Sequence, residues 1–86
     1  MSEPAMCDAI CVAVVRALRA ERLRQGLSME RLAEKANLSK GMISLVERDL
    51  RNPTLDTILR ISRALRLELG AVIRGATAEA ERGSRK

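Results

Sequence analysis

The sequence predicts an all-α protein, a compact bundle of four to five helices. Three observations carry that expectation. First, the 86 residues are 47% hydrophobic yet include no Phe, Trp or Tyr. The core must then be Leu, Ile, Val, Met and Ala, which suits helices and argues against a β-sandwich, where aromatic and β-branched residues usually fill the layer between sheets. Second, apolar residues recur at helical spacing, as at Leu55, Ile58, Leu59 and Leu65. Third, Ser28, Ser39 and Thr54 stand ahead of such segments, where a hydroxyl accepts a hydrogen bond from an otherwise orphaned helix N–H.

Ser2-Glu3-Pro4 opens the first helix, with proline in the early turn where its missing N–H does no harm. That helix is expected to run to about Gln25 and stop at Gly26. Its beginning, residues 6–15, is more apolar than one core-facing stripe requires, so part of it is expected to pack on a partner subunit. The second helix is read from Met29 to Ala36 and the third over residues 40–48, with Asn37-Leu38 as the break. Asn tolerates the left-handed backbone that ends a helix and turns the chain. Leu32, Ala33 and Ala36 share one face, and Ile43, Val46 and Glu47 share another. Two short capped helices around a tight break form a helix-turn-helix, whose second helix lies in the major groove of DNA.

Residues 49–53 read as a loop. The fourth helix follows Thr54, with Asp56 favoured by the dipole of the first turn. Leu55, Ile58, Leu59, Ser62 and Leu65 are assigned to its core face, Arg60 and Arg63 to the outside. Residues 67–73 allow two readings. The preferred one is a short fifth helix. The other is a strand pairing with its twin across a dimer axis, since Leu67, Leu69, Ala71 and Ile73 alternate and Gly70 weakens a helix. Residues 1–75 are taken as the domain and 76–86, which are small, polar and charged, as a disordered tail.

The stretch from Val15 to about Ile73 resembles the Cro/phage-repressor, or XRE, type of helix-turn-helix domain. The matching pieces are Leu18-Arg19-Ala20-Glu21-Arg22, Gly26-Leu27-Ser28, Leu32-Ala33, Ile43-Ser44 with Glu47, Asn52-Pro53-Thr54-Leu55, and Ala64-Leu65. The resemblance implies a lambda-repressor-like bundle and sequence-specific binding of double-stranded DNA. It also implies an ion pair of Arg22 with Glu47 that orients the third helix. Three positions depart from the family pattern. Met29 replaces a frequent Gln and cannot make its hydrogen bond to the DNA backbone. Asp49 and Arg66 stand where Gly usually ends a helix, and left-handed Arg costs roughly 1 kcal/mol. The end of the fourth helix is therefore expected to be built differently here, which adds weight to the strand alternative while the helix stays the preferred reading.

With Ile43, Val46 and Glu47 inward, the other side of the third helix holds Lys40, Gly41, Ser44, Leu45 and Arg48. Lys40 suits guanine O6 and N7, or else a phosphate. Gly41 allows close backbone approach, and Ser44 can donate or accept. Leu45 suits a thymine methyl, or else packs at the helix edge. The DNA backbone is assigned to the N–H groups around Met29 and Glu30, and to Arg48, Arg51 and Asn52.

The net charge of +5 fits an anionic partner, although the arginines are spread along the chain and solvated faces explain many of them. Cys7 and Cys11 are the only cysteines and His is absent, too few ligands for a metal site. They are taken as small apolar residues rather than a redox or inter-subunit pair. Without His, a Ser or Cys nucleophile lacks its usual base, so no enzymatic role and no cofactor are expected. No apolar run is long enough to span a membrane, and no basic segment precedes an apolar one as in a secretory signal. The expectation is a cytoplasmic homodimeric transcriptional repressor reading a near-palindromic operator. The alternatives are an antitoxin that also binds a toxin, a restriction–modification controller, and a protein-interaction adaptor of the same fold. A toxin or antirepressor is the protein partner these readings allow.

Overall fold

The computed structural model describes residues 2–48 and 53–83. Among them are five helices and no strand: α1 (Glu3–Arg24), α2 (Met29–Ala36), α3 (Lys40–Glu47), α4 (Leu55–Ala64) and α5 (Leu69–Gly83).

The first four helices begin as the capping residues dictate. Ser2, Ser28, Ser39 and Thr54 all have extended backbone and accept from the N–H three residues on, each such cap contributing about 1 kcal/mol. α5 uses an acid instead: the Glu68 carboxylate accepts from the Ala71 N–H at 2.6 Å. A Cβ at Gly70 would lie 2.8 Å from that carboxylate. Gly70 thus makes room for the cap at the start of α5 and is not a breaker within it.

Three helices end in the same way. After α1, α2 and α4 the chain passes through a left-handed residue, Gly26 (φ 70°), Asn37 (φ 56°) and Arg66 (φ 61°). Each is followed by an apolar residue whose N–H reaches back to a carbonyl five residues earlier: Leu27 to Arg22, Leu38 to Ala33 and Leu67 to Ser62. This is the Schellman closure. Arg66 adopts it despite its side chain, so the end of α4 is built like the others, contrary to the expectation drawn from the missing glycine. The cost of a left-handed arginine is offset by Leu67, which packs against the core.

The core lies where α1, α2, α3, α4 and α5 meet. Its most deeply buried members are Leu32, Ile43, Leu65 and Ser62. α1 contributes Ala13, Val14, Val15 and Leu18 and packs chiefly along α5. Of the apolar opening of α1, Cys7 and Cys11 are exposed while Ile10 packs against the core.

The preferred helical reading of residues 67–73 is the one observed, from Leu69 onward: Leu69, Val72, Ala76 and Ala80 follow the helical period and lie on the core side of α5, and the alternative strand is absent. The apparent alternation at 67–73 arises because Leu67 belongs to the preceding turn. Residues 76–83 are not the expected tail. They continue α5, with Ala76 and Ala80 buried; the small side chains that resembled linker composition are what let α5 lie close along α1. Residues 84–86 fall outside the described residues. On α4 the core face is Thr57, Ile58, Ile61, Ser62 and Leu65, while Leu55 and Leu59 are exposed. Ile58, Ser62 and Leu65 keep their assigned place, while Thr57 and Ile61 take the core positions expected for Leu55 and Leu59. The ends of α1 and α3 each fall one residue before the expected ones, with Gln25 and Arg48 as caps.

Candidate nucleic-acid interface

α2 and α3 are joined by left-handed Asn37, half-buried Leu38 and the cap Ser39. Leu32, Ala33 and Ala36 anchor α2, and Ile43 and Val46 anchor α3. Leu27 and Met29 pack against the core on either side of Ser28. They fix how the chain enters α2 and hence where its first N–H groups point. The Met29 side chain is therefore a packing residue, and only its backbone N–H remains for a phosphate. The first intrahelical bond of α2 is Leu32 N–H to Ser28 carbonyl, and Ser28 Oγ takes the Arg31 N–H. The N–H groups of Met29 and Glu30 precede both and have no acceptor within the helix.

A buried ion pair sets the orientation of α3. Arg22 Nε donates to Glu47 Oε2 at 2.7 Å and Nη2 donates to Oε1 at 2.9 Å, with the two side chains only 8% and 6% exposed. Nη1 donates to the Leu27 carbonyl at 2.7 Å. The fork-to-fork geometry fixes direction as well as distance. The hydrogen bonds to Glu47 raise the Arg22 pKa above its already high ordinary value, so the guanidinium is charged throughout the accessible range. Arg19 lies 3.7 Å from Glu47 as an exposed second cation. Arg22 thereby ties the end of α1, the turn before α2 and the last turn of α3 together.

A second junction closes the other side of α1. Gln25 Nε2 donates to Glu21 and to the Leu65 carbonyl at 2.8 Å, joining the C-terminal ends of α1 and α4. Glu21 also accepts from Arg24 through two nitrogens. The hydrogen bonds from Arg24 and then Gln25 pull its pKa down to about 2.

On α3, Lys40, Gly41 and Arg48 are exposed, and Ser44 and Leu45 are half-buried. Leu45 does not belong to the apolar set packed on the core. Met42, which the sequence reading assigned to neither side, is 38% exposed. Its position on the helix, just past Val46, is a flank that periodicity leaves undecided. Lys40 Nζ lies 3.8 Å from Glu30 Oε1 across the turn, both side chains largely in solvent. Such a pair is worth at most about 1 kcal/mol, so Lys40 is readily released to another anion. Arg51 and Asn52, assigned to the DNA backbone from the sequence, lie outside the described residues.

One surface therefore carries the backbone donors of Met29 and Glu30, the cations Lys40 and Arg48, and the polar and apolar outer face of α3. Behind it, Ile43, Val46 and the Arg22–Glu47 pair hold α3 rigidly. Among the described residues no cluster of His, Cys, Asp and Glu could hold a metal ion, and no helix is long and apolar enough to cross a membrane.

This chain belongs to the helix-turn-helix family, whose model matches residues 18–72. The match runs from Leu18 on α1 through α4 and into α5, so it takes in the whole of the surface just described. The chain is 39% identical over 59 residues to the immunity repressor protein of Bacillus phage phi105, a stretch that is 69% of this chain and 39% of that protein. It is 40% identical over 50 residues to an uncharacterized HTH-type transcriptional regulator of Mycobacterium tuberculosis, covering 58% of this chain and 36% of the regulator. The chain thus spans well under half the length of these curated relatives. Among solved structures, a mutant of the restriction-modification controller protein C.Esp1396I superposes with a TM-score of 0.75 at 27% identity, covering 85% of this chain and 95% of that one. The clp gene regulator ClgR of Corynebacterium glutamicum shares the fold, with a TM-score of 0.75 at 24% identity over 87% of this chain and 80% of its own.

Proposed function

We propose that this chain is a sequence-specific DNA-binding transcriptional regulator, a homodimeric repressor that places α3 in the major groove of a near-palindromic operator. The observation that carries this reading is the buried Arg22–Glu47 pair behind an exposed α3 surface. A helix that reads base edges must be held in one orientation, and here a bidentate pair does so from the side away from the surface. Lys40, Gly41, Ser44 and Leu45 are the base-reading residues, and the Met29 and Glu30 N–H groups with Arg48, Arg51 and Asn52 hold the phosphates. Names of relatives support the same direction, a phage immunity repressor among them.

The dimer reading rests on a groove of about 300 Å³ between α1, the start of α4 and α5. Ile10, Cys11, Val14, Leu55, Ile58 and Ile73 line it. Leu55 is 67% exposed there and Ile73 is exposed beside it. A second copy covering this face removes that apolar surface from water and supplies the paired recognition helices that a near-palindrome needs. Residues 1–83 act as one domain in this reading, at work in the cytoplasm where the DNA is. A restriction–modification controller is the second reading, favoured by the controller protein that superposes over 95% of its length. The antitoxin reading drew on a strand at 67–73, a segment that holds no strand and is helical from Leu69 onward.

Selection from random duplexes, followed by binding titrations, tests the proposal. A near-palindromic site with half-sites about one helical turn apart is expected, together with sedimentation above the 9.5 kDa of a monomer. Equal affinity for all duplexes, or a monomer both free and bound, overturns it.

A further inference from the structure

Between Lys40, Ser44 and Arg48, part of the outer surface of α3 carries no hydrogen-bonding side chain. Gly41 has no side chain, Met42 is 38% exposed, and Leu45 is half-buried without joining the core set. Met42 and Leu45 are three apart and Gly41 and Leu45 four apart, so the three are neighbours on the helix surface. They form one apolar patch. It is bracketed by cations, Lys40 at the start of the helix and Arg48 at its end, both exposed. The fold itself does not demand this surface. A Cβ at Gly41 would meet nothing closer than Ser39 Oγ at 3.8 Å, and neither Met42 nor Leu45 is buried as Ile43 and Val46 are.

An apolar strip a few side chains wide, flanked by cations, fits a groove with apolar points on its floor and phosphates on its rims. In the major groove of DNA the apolar group on the base edges is the C5 methyl of thymine. An apolar protein partner would not call for the bracketing cations. We propose that Met42 and Leu45 read thymine methyl groups, with bare Gly41 letting the base edges approach, so that the preferred half-site is specified by thymines at the positions these two residues face. This rests on the reading of α3 as the base-reading helix. Lys40 and Ser44 supply the polar part of recognition, and Met42 and Leu45 supply discrimination by shape and apolar contact.

The test uses the full chain and its selected operator. In a series of duplexes each half-site thymine is replaced singly by deoxyuridine, which removes the C5 methyl and leaves every hydrogen-bonding group in place. A scrambled duplex with the same replacements is the control. The wild-type chain is expected to lose about fourfold in affinity per contacted methyl, the factor that corresponds to burial of one methyl-sized apolar group, with no change on the scrambled duplex. Met42→Ala and Leu45→Ala are expected to become insensitive to deoxyuridine each at its own position. Both residues lie outside the core, and unchanged thermal unfolding checks that the variants fold.

Wild-type affinity within twofold on every deoxyuridine duplex overturns the proposal. So does undiminished sensitivity in both variants, or a pair of variants that bind the operator like wild type. Absence of any sequence-preferring binding overturns instead the reading of α3 on which the proposal rests. If Lys40→Ala and Ser44→Ala weaken the operator while deoxyuridine does nothing, α3 reads the bases but not through their methyl groups.

Discussion

Substitution of Arg22 by Ala tests the central joint of this molecule. Arg22 makes three hydrogen bonds, two to Glu47 and one to the Leu27 carbonyl, all between 2.7 and 2.9 Å. Removing it leaves the Glu47 side chain, 6% exposed, with only Arg19 nearby, 3.7 Å away and itself in solvent. That exposed cation returns at most about 1 kcal/mol, and the Leu27 carbonyl also loses a partner. Breaking a buried pair by deleting one member costs about 3–5 kcal/mol, whereas a chain of 86 residues has a total stability of roughly 4–13 kcal/mol. Arg22→Ala should therefore lower the unfolding midpoint by more than about 12 °C, at about 4–8 °C per kcal/mol for a domain of this size. Arg22→Lys keeps the charge but not the fork and should lose roughly 1–2 kcal/mol. The double variant Arg22→Met with Glu47→Leu removes both charges and should recover most of the stability, because an apolar pair of similar volume is often no less stable. Thermal and urea unfolding of the four proteins, followed by circular dichroism, provide the measurement. A loss below about 1 kcal/mol for Arg22→Ala, or a double variant as unstable as the single one, would refute the reasoning.

The remaining predictions concern the proposed DNA surface and the helix ends. Lys40→Ala and Ser44→Ala should each weaken the preferred operator by roughly 1–3 kcal/mol and leave scrambled DNA nearly unaffected, whereas Arg48→Ala should weaken all sequences alike and reduce the salt slope by about one. Arg66→Gly should raise stability by about 0.5–1 kcal/mol, since glycine accepts the φ of 61° without the steric cost; an unchanged or lower urea midpoint counts against a strained cap. Ala80→Asp should destabilise by about 1–3 kcal/mol, because it places a carboxylate at a buried position on the α1–α5 contact, and thermal melts equal to wild type would mean that the last turns of α5 are not docked. The Glu21 carboxyl, held near 2 against an ordinary 4.5, contributes stability that is fully present above about pH 4.5 and is lost as pH falls toward 2. Glu21→Gln should flatten that part of the stability–pH curve, and a curve of unchanged slope would show that Glu21 is not the group titrating.

Most helix starts and the break between α2 and α3 were legible in local sequence chemistry alone. Caps at Ser2, Ser28, Ser39 and Thr54 and the left-handed stop at Asn37 are short-range chemistry, legible because the residue that makes each hydrogen bond sits within three or four positions of its partner. The inward face of α3 followed from the same period, and with it the surface on which Lys40, Gly41, Ser44 and Arg48 stand.

What required the tertiary structure was everything decided by a neighbour distant in the chain. Residues 76–83 carry the composition of a tail, and only the closeness of α1 makes Ala76 and Ala80 core residues. Leu59 and Ile61 both fit a helical stripe on α4, and the position of the surrounding helices chose Ile61. Arg66 was a poor candidate for a left-handed stop by its own preference, yet burial of Leu67 and closure onto Ser62 overrode a cost of roughly 1 kcal/mol. Met42 lay on a flank of α3 that no periodicity assigns, and its exposure emerged only once Ile43 and Val46 were seated against α1 and α2. Local propensity is a sum of small terms. Burial against a distant partner is larger, so where the two disagreed the distant contact prevailed.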